Sequence, residues 1–304
     1  MTRVGPPRSR TILTLVLALT AGAAAPARAG GPLSRDVAAA PVGWDPATPL
    51  AYSTDQGNLG TLDHNTAVAK VQALFGPWQD VLTATLAFER AGDLAVNVDA
   101  SNFGPYLSAY DSGSTAPLGF NPIVFDADGA IFDQLYGVGT GVVGFAGPTW
   151  FSNGSTTAQI GQPIPAGARI VEGIAFLNGK MIDGVDGPGN PELSSMAWFD
   201  AAFVHEFGHL SGLDHTQIHG LTLDTGDFVE YIETMFPFLI HPGQSQLKRD
   251  DRIALSLLYP APGFAAATGC LEGRVLDADG APVAGANLVA EIPNDFDSSA
   301  STVS

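Results

Sequence analysis

The chain has 304 residues, of which 45% are hydrophobic and 14% are charged, and its formal net charge at pH 7 is −18. This length accommodates one domain of typical size with flanking segments, and the apolar content is sufficient for a packed core. The acidic balance argues against nucleic acid or an anionic membrane surface as a partner, because both require a basic face.

Residues 1–29 have the pattern of a secretory signal peptide. Arginines precede an apolar segment at residues 12–23, and Ala27 and Ala29 form the small-x-small pattern of a cleavage site. The apolar segment is too short to favour a membrane anchor. Cleavage would remove four of the 13 basic residues and none of the 31 acidic ones, which changes the net charge to −22. We therefore expect a secreted, extracellular protein that does not insert into a membrane.

After a short lead at residues 30–43, the pattern predicts a strand, a helix and two more strands. The first strand is expected at residues 49–53. Asp63 is suited to cap a helix over residues 64–81, in which apolar residues recur at helical spacing. Two segments then alternate apolar and polar side chains as strands do. They are residues 82–89 and 94–98.

Residues 100–141 form a long region rich in glycine and aspartate, and a loop of this length is more often functional or ion-stabilised than idle. Within it, Asp126, Asp128 and Asp133 resemble a shortened calcium-binding loop that lacks the closing glutamate. One interpretation is a structural Ca²⁺ site, and the other is a tight turn between two short strands. The loop over residues 183–191 is a second, weaker calcium candidate.

Two further strands are expected before the next helix. Residues 141–148 have the pattern of an edge strand, which is either an ordinary edge or one that hydrogen-bonds an extended polypeptide. Residues 169–177 are expected to form the last strand of the sheet. The following helix has two candidate caps, Asn190-Pro191 and Ser194-Ser195.

The strongest motif is HEFGHLSGLDH, which begins at His205. On a helix, His205 and His209 lie one turn apart on one face, so both imidazoles can bind one ion. A continuous helix would place His215 on the wrong side, but Gly212 can adopt the positive φ that ends a helix and turns the chain back. Three nitrogen ligands with one open position form the arrangement of a catalytic zinc. The five-residue core alone also arises by chance, whereas the added glycine and histidine favour a real zinc site with Glu206 beside it.

This motif resembles that of the metzincin zinc peptidases, and of their matrixin branch in particular. Metzincins add a methionine turn beneath the zinc, for which Met235, followed by Pro237, is the candidate. Residues 247–259 begin with paired aspartates, end in Leu-Tyr and resemble the closing matrixin helix. The resemblance spans residues 44–260. It implies an α+β fold with a twisted mixed sheet of about five strands, an active-site helix and a closing C-terminal helix.

The same resemblance bears on substrate and ions. The strand at residues 141–148 resembles the matrixin edge strand that pairs with an extended substrate, and matrixins hold calcium in the loop that corresponds to residues 100–141. Matrixins also bind a second zinc through histidines. Because this chain has no histidine between His64 and His205, we do not expect that second zinc.

Beyond a linker at residues 261–268, residues 269–304 resemble the start of a carboxypeptidase-regulatory-like β domain. A strand, a turn and a strand are predicted there, and because a complete sandwich needs about 70 residues, the unit is expected to be partial. Such a module is a candidate for binding a surface or another protein. The only cysteine, Cys270, lies in it, so neither a disulfide in the domain at residues 44–260 nor a cysteine nucleophile is expected.

Together these features predict a secreted zinc metalloendopeptidase that acts on polypeptides. His205, His209 and His215 are the expected Zn²⁺ ligands, and Glu206 is the expected general base toward a zinc-bound water. Two alternatives remain open. One is a non-catalytic extracellular binding or adhesion protein that uses the zinc fold as a scaffold, and the other is a hydrolase of non-protein amides.

Overall fold

The computed structural model describes residues 30–107, 109–110, 114–187, 189–216, 229–269, 271, 273–283, 286–292 and 295–303. The expected signal peptide at residues 1–29 and Cys270 lie outside these ranges. Among the described residues, no helix has the length and apolar character needed to cross a membrane.

The described chain contains both strands and helices. The strands are β1 (Ser34–Arg35), β2 (Pro41–Val42), β3 (Leu50–Thr54), β4 (Phe88–Asp93), β5 (Asn121–Asp126), β6 (Gly144–Ser152), β7 (Thr157–Gln159), β8 (Arg169–Asn178), β9 (Asn287–Ile292) and β10 (Asp295–Val303). The α-helices are α1 (His64–Gln79), α2 (Gly104–Leu107), α3 (Ala130–Tyr136), α4 (Met196–Leu210), α5 (Arg249–Leu258) and α6 (Phe264–Ala267). Short 3₁₀ helices occur at Gly179–Ile182, Val229–Tyr231 and Pro242–Ser245.

Six strands form one mixed sheet in the order β4-β3-β5-β8-β6-β7. The four strands from β4 to β8 are parallel to their neighbours, whereas β6 is antiparallel to both β8 and β7. The molecule therefore combines helices with a mixed sheet, which is compatible with the expected α+β class, and the sheet has six strands where about five were expected. Strands β1 and β2 pair with each other outside this sheet, and so do β9 and β10.

The prediction for the first helix is confirmed in its start and its buried face. The Asp63 side chain accepts a hydrogen bond from the Thr66 backbone N–H at 2.8 Å and so caps α1. The helix ends at Gln79, two residues before the predicted end. Its buried side chains are those at helical spacing, namely Ala67, Val71, Leu74, Phe75 and Trp78.

The two strands predicted at residues 82–89 and 94–98 are wrong. A single strand, β4, begins at Phe88, within the first predicted segment, and ends at Asp93, before the second one. Thr85 N–H donates to Tyr259 O at 2.9 Å, so residues before β4 pair with the segment that follows α5. Leu94 N–H donates to Thr54 O at 2.7 Å. The alternation of apolar and polar side chains therefore did not predict the bounds of the strand, because the backbone partners of these residues, such as Tyr259, are distant in the chain.

The sheet separates two apolar clusters. Along β8, Ala175 and Leu177 belong to the larger cluster, whereas Ile174 and Phe176 belong to the smaller one, because alternate side chains of a strand face opposite sides. The larger cluster holds α1 and α4, and the smaller one holds α3. Burial against both the sheet and α1 therefore places α4 beneath the strands β6 and β8.

Helices α1 and α4 are joined by aromatic contacts in the larger cluster. Phe75 and Phe207 stack with ring centroids 4.0 Å apart, and Trp78 Nε1 donates to Val204 O at 2.7 Å. Buried aromatic rings contribute both large apolar area and specific packing geometry. These contacts define how α4 is rotated relative to the sheet.

In the described part of residues 269–283, the predicted strand, turn and strand form a short bridge between Leu276 and Pro282, flanked by a backbone hydrogen bond from Val283 N–H to Val275 O at 2.9 Å. The Asp277 side chain accepts hydrogen bonds from Asp279 N–H at 2.9 Å and Ala281 N–H at 2.8 Å. These bonds stabilise the tight turn between the two bridged residues. The regular pairing of this region is instead the antiparallel hairpin of β9 and β10, and β10 packs against α5.

Candidate metal centre

Helix α4 carries two of the three predicted ligands, and the chain turns immediately after it. The helix begins after Ser195, so the second of the two predicted caps lies at its start, although the Ser195 side chain makes no capping hydrogen bond. Gly212 has φ 91°, a conformation that favours glycine. The predicted turn at Gly212 is thereby confirmed, and it brings His215 back toward α4.

His205, His209 and His215 come together as predicted. One nitrogen from each ring lies within 4.8 Å of the nitrogens of the other two, and no other group of three such ligands was found among the described residues. His209 Nε2 and His215 Nε2 are 3.1 Å apart. Two imidazoles bound tetrahedrally to one zinc ion would have nitrogens roughly 3.3 Å apart. The three rings therefore have the spacing of ligands to one ion.

Hydrogen bonds orient two of the rings. His205 Nδ1 lies 2.6 Å from Thr234 O, and His209 Nδ1 lies 2.8 Å from Leu213 O. Because a carbonyl can only accept, each Nδ1 carries the proton and each Nε2 has a free lone pair. His205 Nε2 is buried and has no hydrogen-bond partner among the described residues. A buried acceptor of this kind fits a bound metal ion.

The three imidazoles are neutral at neutral pH. Burial lowers the pKa of His205 to about 3, that of His209 to about 4 and that of His215 to about 2. The neighbouring rings lower the pKa of His205 and His215 further, because like charges repel. Metal ligation requires neutral imidazole, so these residues can bind a metal ion without first losing a proton.

Glu206 is buried beside His205 and bonded to strand β6. Its Oε2 accepts a hydrogen bond from Ala146 N–H at 2.9 Å. Burial raises the pKa of Glu206 to about 8, and the Ala146 N–H acts in the opposite direction. A cation at the three histidines would lower this pKa, because opposite charge stabilises the carboxylate. Glu206 is therefore a buried group with the pKa of a base that works near neutral pH.

The predicted edge strand lies next to Glu206. Strand β6 begins three residues later than predicted and runs to Ser152. Strand β7 pairs only with Trp150 to Ser152 of β6, so among the described residues the part of β6 around Ala146 has no strand partner on that side. An unpaired edge can bind an extended chain as an additional strand.

Met235 lies against the middle of α4, as the methionine-turn prediction implied. A Cβ on Gly208, between the two helical histidines, would collide with Met235 Sδ. The Met235 carbonyl accepts a hydrogen bond from Thr216 N–H at 2.8 Å, directly after His215. The segment around Met235 therefore contacts the chain between the two helical histidines and directly after His215.

The paired aspartates at the start of α5 support this segment. Asp251 Oδ1 accepts from Met235 N–H at 3.0 Å, and its Oδ2 accepts from Thr234 N–H at 3.0 Å and from Lys248 N–H at 2.7 Å. Since Thr234 O is the partner of His205 Nδ1, Asp251 holds the group that orients a ligand. From the sequence, Asp251 was recognised only as part of the start of a helix.

Sequence reasoning missed two tyrosines close to Glu206. Burial raises the pKa of Tyr110 and of Tyr136, and the Glu206 carboxylate raises both further, so both hydroxyls feel its charge. Both rings make edge contacts with Phe145, with centroids 6.5 Å apart in each case. The only signal in the sequence was their presence in the long loop region, where a tyrosine has no distinguishing spacing.

The calcium interpretation of Asp126, Asp128 and Asp133 is not supported. Asp126 Oδ2 accepts from Phe132 N–H at 2.9 Å, Asp128 Oδ1 accepts from Ala130 N–H at 3.2 Å, and Asp133 pairs with Lys180 Nζ at 2.8 Å. The carboxylates serve the start of α3 and an ion pair, and they are not brought together as ligands. The alternative interpretation, a tight turn between two short strands, is closer to the structure, except that the helix α3 takes the place of the second strand.

A small apolar pocket adjoins His205 on the side of the segment that follows Met235. It is lined by Ala202, His205, Phe236, Pro237, Leu239 and Gln244.

No family model matches the chain, and no curated protein shows significant similarity to it. Its function must therefore be inferred from the chemistry of the three histidines, Glu206 and their surroundings.

Proposed function

We propose that the protein is a secreted zinc-dependent endopeptidase of the metzincin type. The observation that carries this proposal is the buried Nε2 of His205, which points into a cluster of three neutral imidazoles directly beside the buried Glu206. A site with only a structural role has no need of a basic carboxylate next to it. The signal-like residues 1–29 and the acidic net charge support an extracellular location.

His205, His209 and His215 would hold the metal through their Nε2 atoms. Three neutral imidazoles suit zinc, and a set of three protein ligands leaves the fourth position open, as in catalytic zinc sites. When bound, zinc acts as a Lewis acid and lowers the pKa of water toward neutrality. The Thr234 and Leu213 carbonyls keep the Nδ1 proton on His205 and His209, which maintains the ligating tautomer.

Glu206 would act as the general base and then as the general acid. Its carboxylate accepts the proton of the attacking water and passes it to the nitrogen of the leaving amine. Ala146 N–H holds Oε2 in place, and Oε1 has no hydrogen-bond partner among the described residues. The free edge of β6 next to Ala146 would bind the substrate backbone as an added strand. Backbone pairing of this kind accepts many sequences, which suits an endopeptidase.

The decisive test compares the wild-type protein with Glu206→Gln, which keeps the shape of the side chain but removes the base. Both proteins are expected to bind one zinc, because Glu206 is not a ligand. Hydrolysis of unfolded casein should fall by about two orders of magnitude or more, as expected for the loss of a positioned general base. Cleavage products are identified by mass spectrometry, with and without a zinc chelator.

The matched control is Glu89→Gln, which changes an exposed glutamate on β4 away from the histidines. It should cleave like the wild type. Equal activity of the wild type and Glu206→Gln would contradict the proposed mechanism. A zinc-loaded wild type that cleaves no polypeptide would contradict the peptidase assignment and favour the scaffold of an adhesion protein.

A further inference from the structure

We propose that the C-terminal hairpin positions the third metal ligand, with Ser301 of β10 acting on His215 through Asp250 and Thr216. The inference rests on the metal site of the proposed function and adds a positioning residue from outside the domain that carries the ligands. Four segments of the chain, at Gly30, Thr216, Asp250 and Ser301, meet next to His215. We call this meeting point the Asp250 junction.

Asp250 is the centre of the junction. It lies in the first turn of α5 and is only 2% exposed. Its Oδ2 accepts from Thr216 Oγ1 at 2.8 Å and from Ser301 Oγ at 3.1 Å, and its Oδ1 accepts from Ser301 N–H at 2.7 Å. Ser301 therefore supplies two of the three donors that these bonds bring to a buried carboxylate. Hydrogen bonds to a charged acceptor are among the strongest in proteins.

The fourth segment closes the junction around His215. Gly30 N–H donates to His215 O at 2.9 Å. A Cβ on Gly30 would lie 2.7 Å from Asp250 Oδ2 and 2.9 Å from Ser301 Oγ, so only glycine fits there. The backbone of His215 is thus fixed at its carbonyl by Gly30 and, one residue later, by the bonds of Thr216.

His215 depends on these backbone bonds more than the other two ligands do. His205 and His209 belong to a buried helix, and a carbonyl accepts from Nδ1 of each ring. His215 lies after the turn at Gly212, and in the part of the chain that the structure describes no hydrogen bond to its Nδ1 orients the ring. Its position is therefore set by how its backbone is held.

The Thr216 bond connects the junction to the ligand. Thr216 is held at its N–H by Met235 O and at its hydroxyl by Asp250. If Ser301 is withdrawn, Asp250 loses two of its three donors among the described residues, and its buried carboxylate must shift to find new partners, which displaces Thr216 and with it His215. Anything that pulls β10 from α5 should consequently weaken metal binding, so the hairpin couples the C-terminal module to the metal site.

The test measures the Zn²⁺ dissociation constant of the full chain by competition with a chromophoric chelator. Ser301→Ala removes the hydroxyl, and Ser301→Pro removes the hydroxyl and the N–H. Loss of a residue that hydrogen-bonds a metal ligand directly costs about 10- to 100-fold in metal affinity. Ser301 acts through two further residues, so we expect zinc affinity to weaken by about threefold in Ser301→Ala and by about tenfold in Ser301→Pro. Ser301→Thr keeps both donors and should retain the wild-type affinity.

Ser245→Ala is the matched control, because among the described residues that hydroxyl donates to Pro242 O, at 3.1 Å, and lies away from the junction. The melting temperature of the metal-free protein separates positioning from general stability, and the loss of zinc affinity in Ser301→Ala should exceed what any fall in that temperature accounts for. Unchanged zinc affinity in both Ser301→Ala and Ser301→Pro would overturn the inference. So would a loss of affinity that merely follows a fall in the metal-free melting temperature.

The proposed function and this inference fail in distinguishable ways. A wild type that binds zinc but cleaves no polypeptide contradicts the peptidase assignment, while the order of zinc affinities among the variants still tests the junction. A wild type that binds no zinc overturns both.

Discussion

At the scale of single residues, the surroundings of Glu206 extend beyond the zinc motif. Its carboxylate is buried, bonded to Ala146 N–H, and close enough to Tyr110 and Tyr136 to raise the pKa of both hydroxyls. Protonated phenols can donate hydrogen bonds to an oxygen that gains negative charge. The two tyrosines are thus candidate donors to the substrate carbonyl.

We expect Tyr110→Phe and Tyr136→Phe to lower kcat/KM for peptide cleavage, at least one of them by about tenfold or more, because each removes a hydroxyl near the reacting groups. Zinc content and melting temperature should change little. Tyr106→Phe is the matched control, since Tyr106 lies in the same loop region but senses Asp55 and not Glu206. If all three variants keep wild-type kcat/KM, the hydroxyls take no part in the reaction.

At the scale of elements, the segment before Met235 and the start of α5 form one acidic, buried unit. Glu233 is 1% exposed, and burial together with the charges of Asp251 and Asp250 raises its pKa to about 9. Lys248 acts in the opposite direction. Glu233 is therefore protonated in the folded protein at neutral pH, whereas in the unfolded chain it is ionised above its ordinary pKa of 4.5.

This difference determines the sign of a pH effect on stability. Below the unfolded-state pKa, Glu233 is protonated in both the folded and the unfolded protein, so its titration does not change the free energy of unfolding. As pH rises toward 9, the unfolded chain releases this proton while the folded protein keeps it, which favours the unfolded state. The free energy of unfolding should therefore fall from pH 5 to pH 9, and Glu233→Gln should flatten that fall and melt higher than the wild type at pH 8. Melting curves of the metal-free proteins at several pH values measure this dependence, with Glu89→Gln as the control. If the melting temperatures of the wild type and Glu233→Gln change in parallel with pH, the titration of Glu233 is not the cause of the pH effect.

The elements also show where pattern reading reaches its limit. The helix α1 and its Asp63 cap were predicted because both depend on residues a few positions apart. The alternation at residues 82–89 was misread, since Leu82 is 93% exposed and Thr85 N–H bonds to Tyr259 O, far along the chain. Tertiary hydrogen bonds thus override a local preference of this kind.

At the scale of the whole molecule, the metal centre joins segments that are distant in the chain. Helix α4 brings two candidate ligands, and the segment around His215 pairs with the N-terminal segment through bonds such as that from Leu33 N–H to Gly212 O at 2.7 Å. The same region is tied to α5 and β10 by Asp250. A metal ion at the histidines would therefore stabilise the packing of all these parts.

Removal of zinc should lower the melting temperature of the wild type, because an ion that binds only the folded state stabilises it by linkage. His209→Ala and His215→Ala should bind no zinc tightly, and a chelator should not change their melting temperatures. His241→Ala is the matched control, because His241 caps a 3₁₀ helix and is not part of the cluster. Full zinc content in the His209→Ala and His215→Ala variants would refute the ligand assignment.

The sequence by itself determined which residues meet in the candidate site. Helix periodicity places His205 and His209 on one face, and Gly212 permits the turn that returns His215, so three ligands follow from eleven consecutive residues. Glu206 follows from the same spacing. These inferences held because each depends on local backbone geometry, which neighbouring residues specify.

Only the tertiary structure decided what surrounds those residues. Thr234 O on His205, the tyrosines near Glu206 and the meeting of Asp250 with Ser301 join positions that lie tens of residues or more apart. No spacing rule links such positions, because their approach depends on how the sheet, α4 and α5 pack as a whole. Burial then creates the properties that matter chemically, since it keeps the imidazoles neutral and makes Glu206 a stronger base.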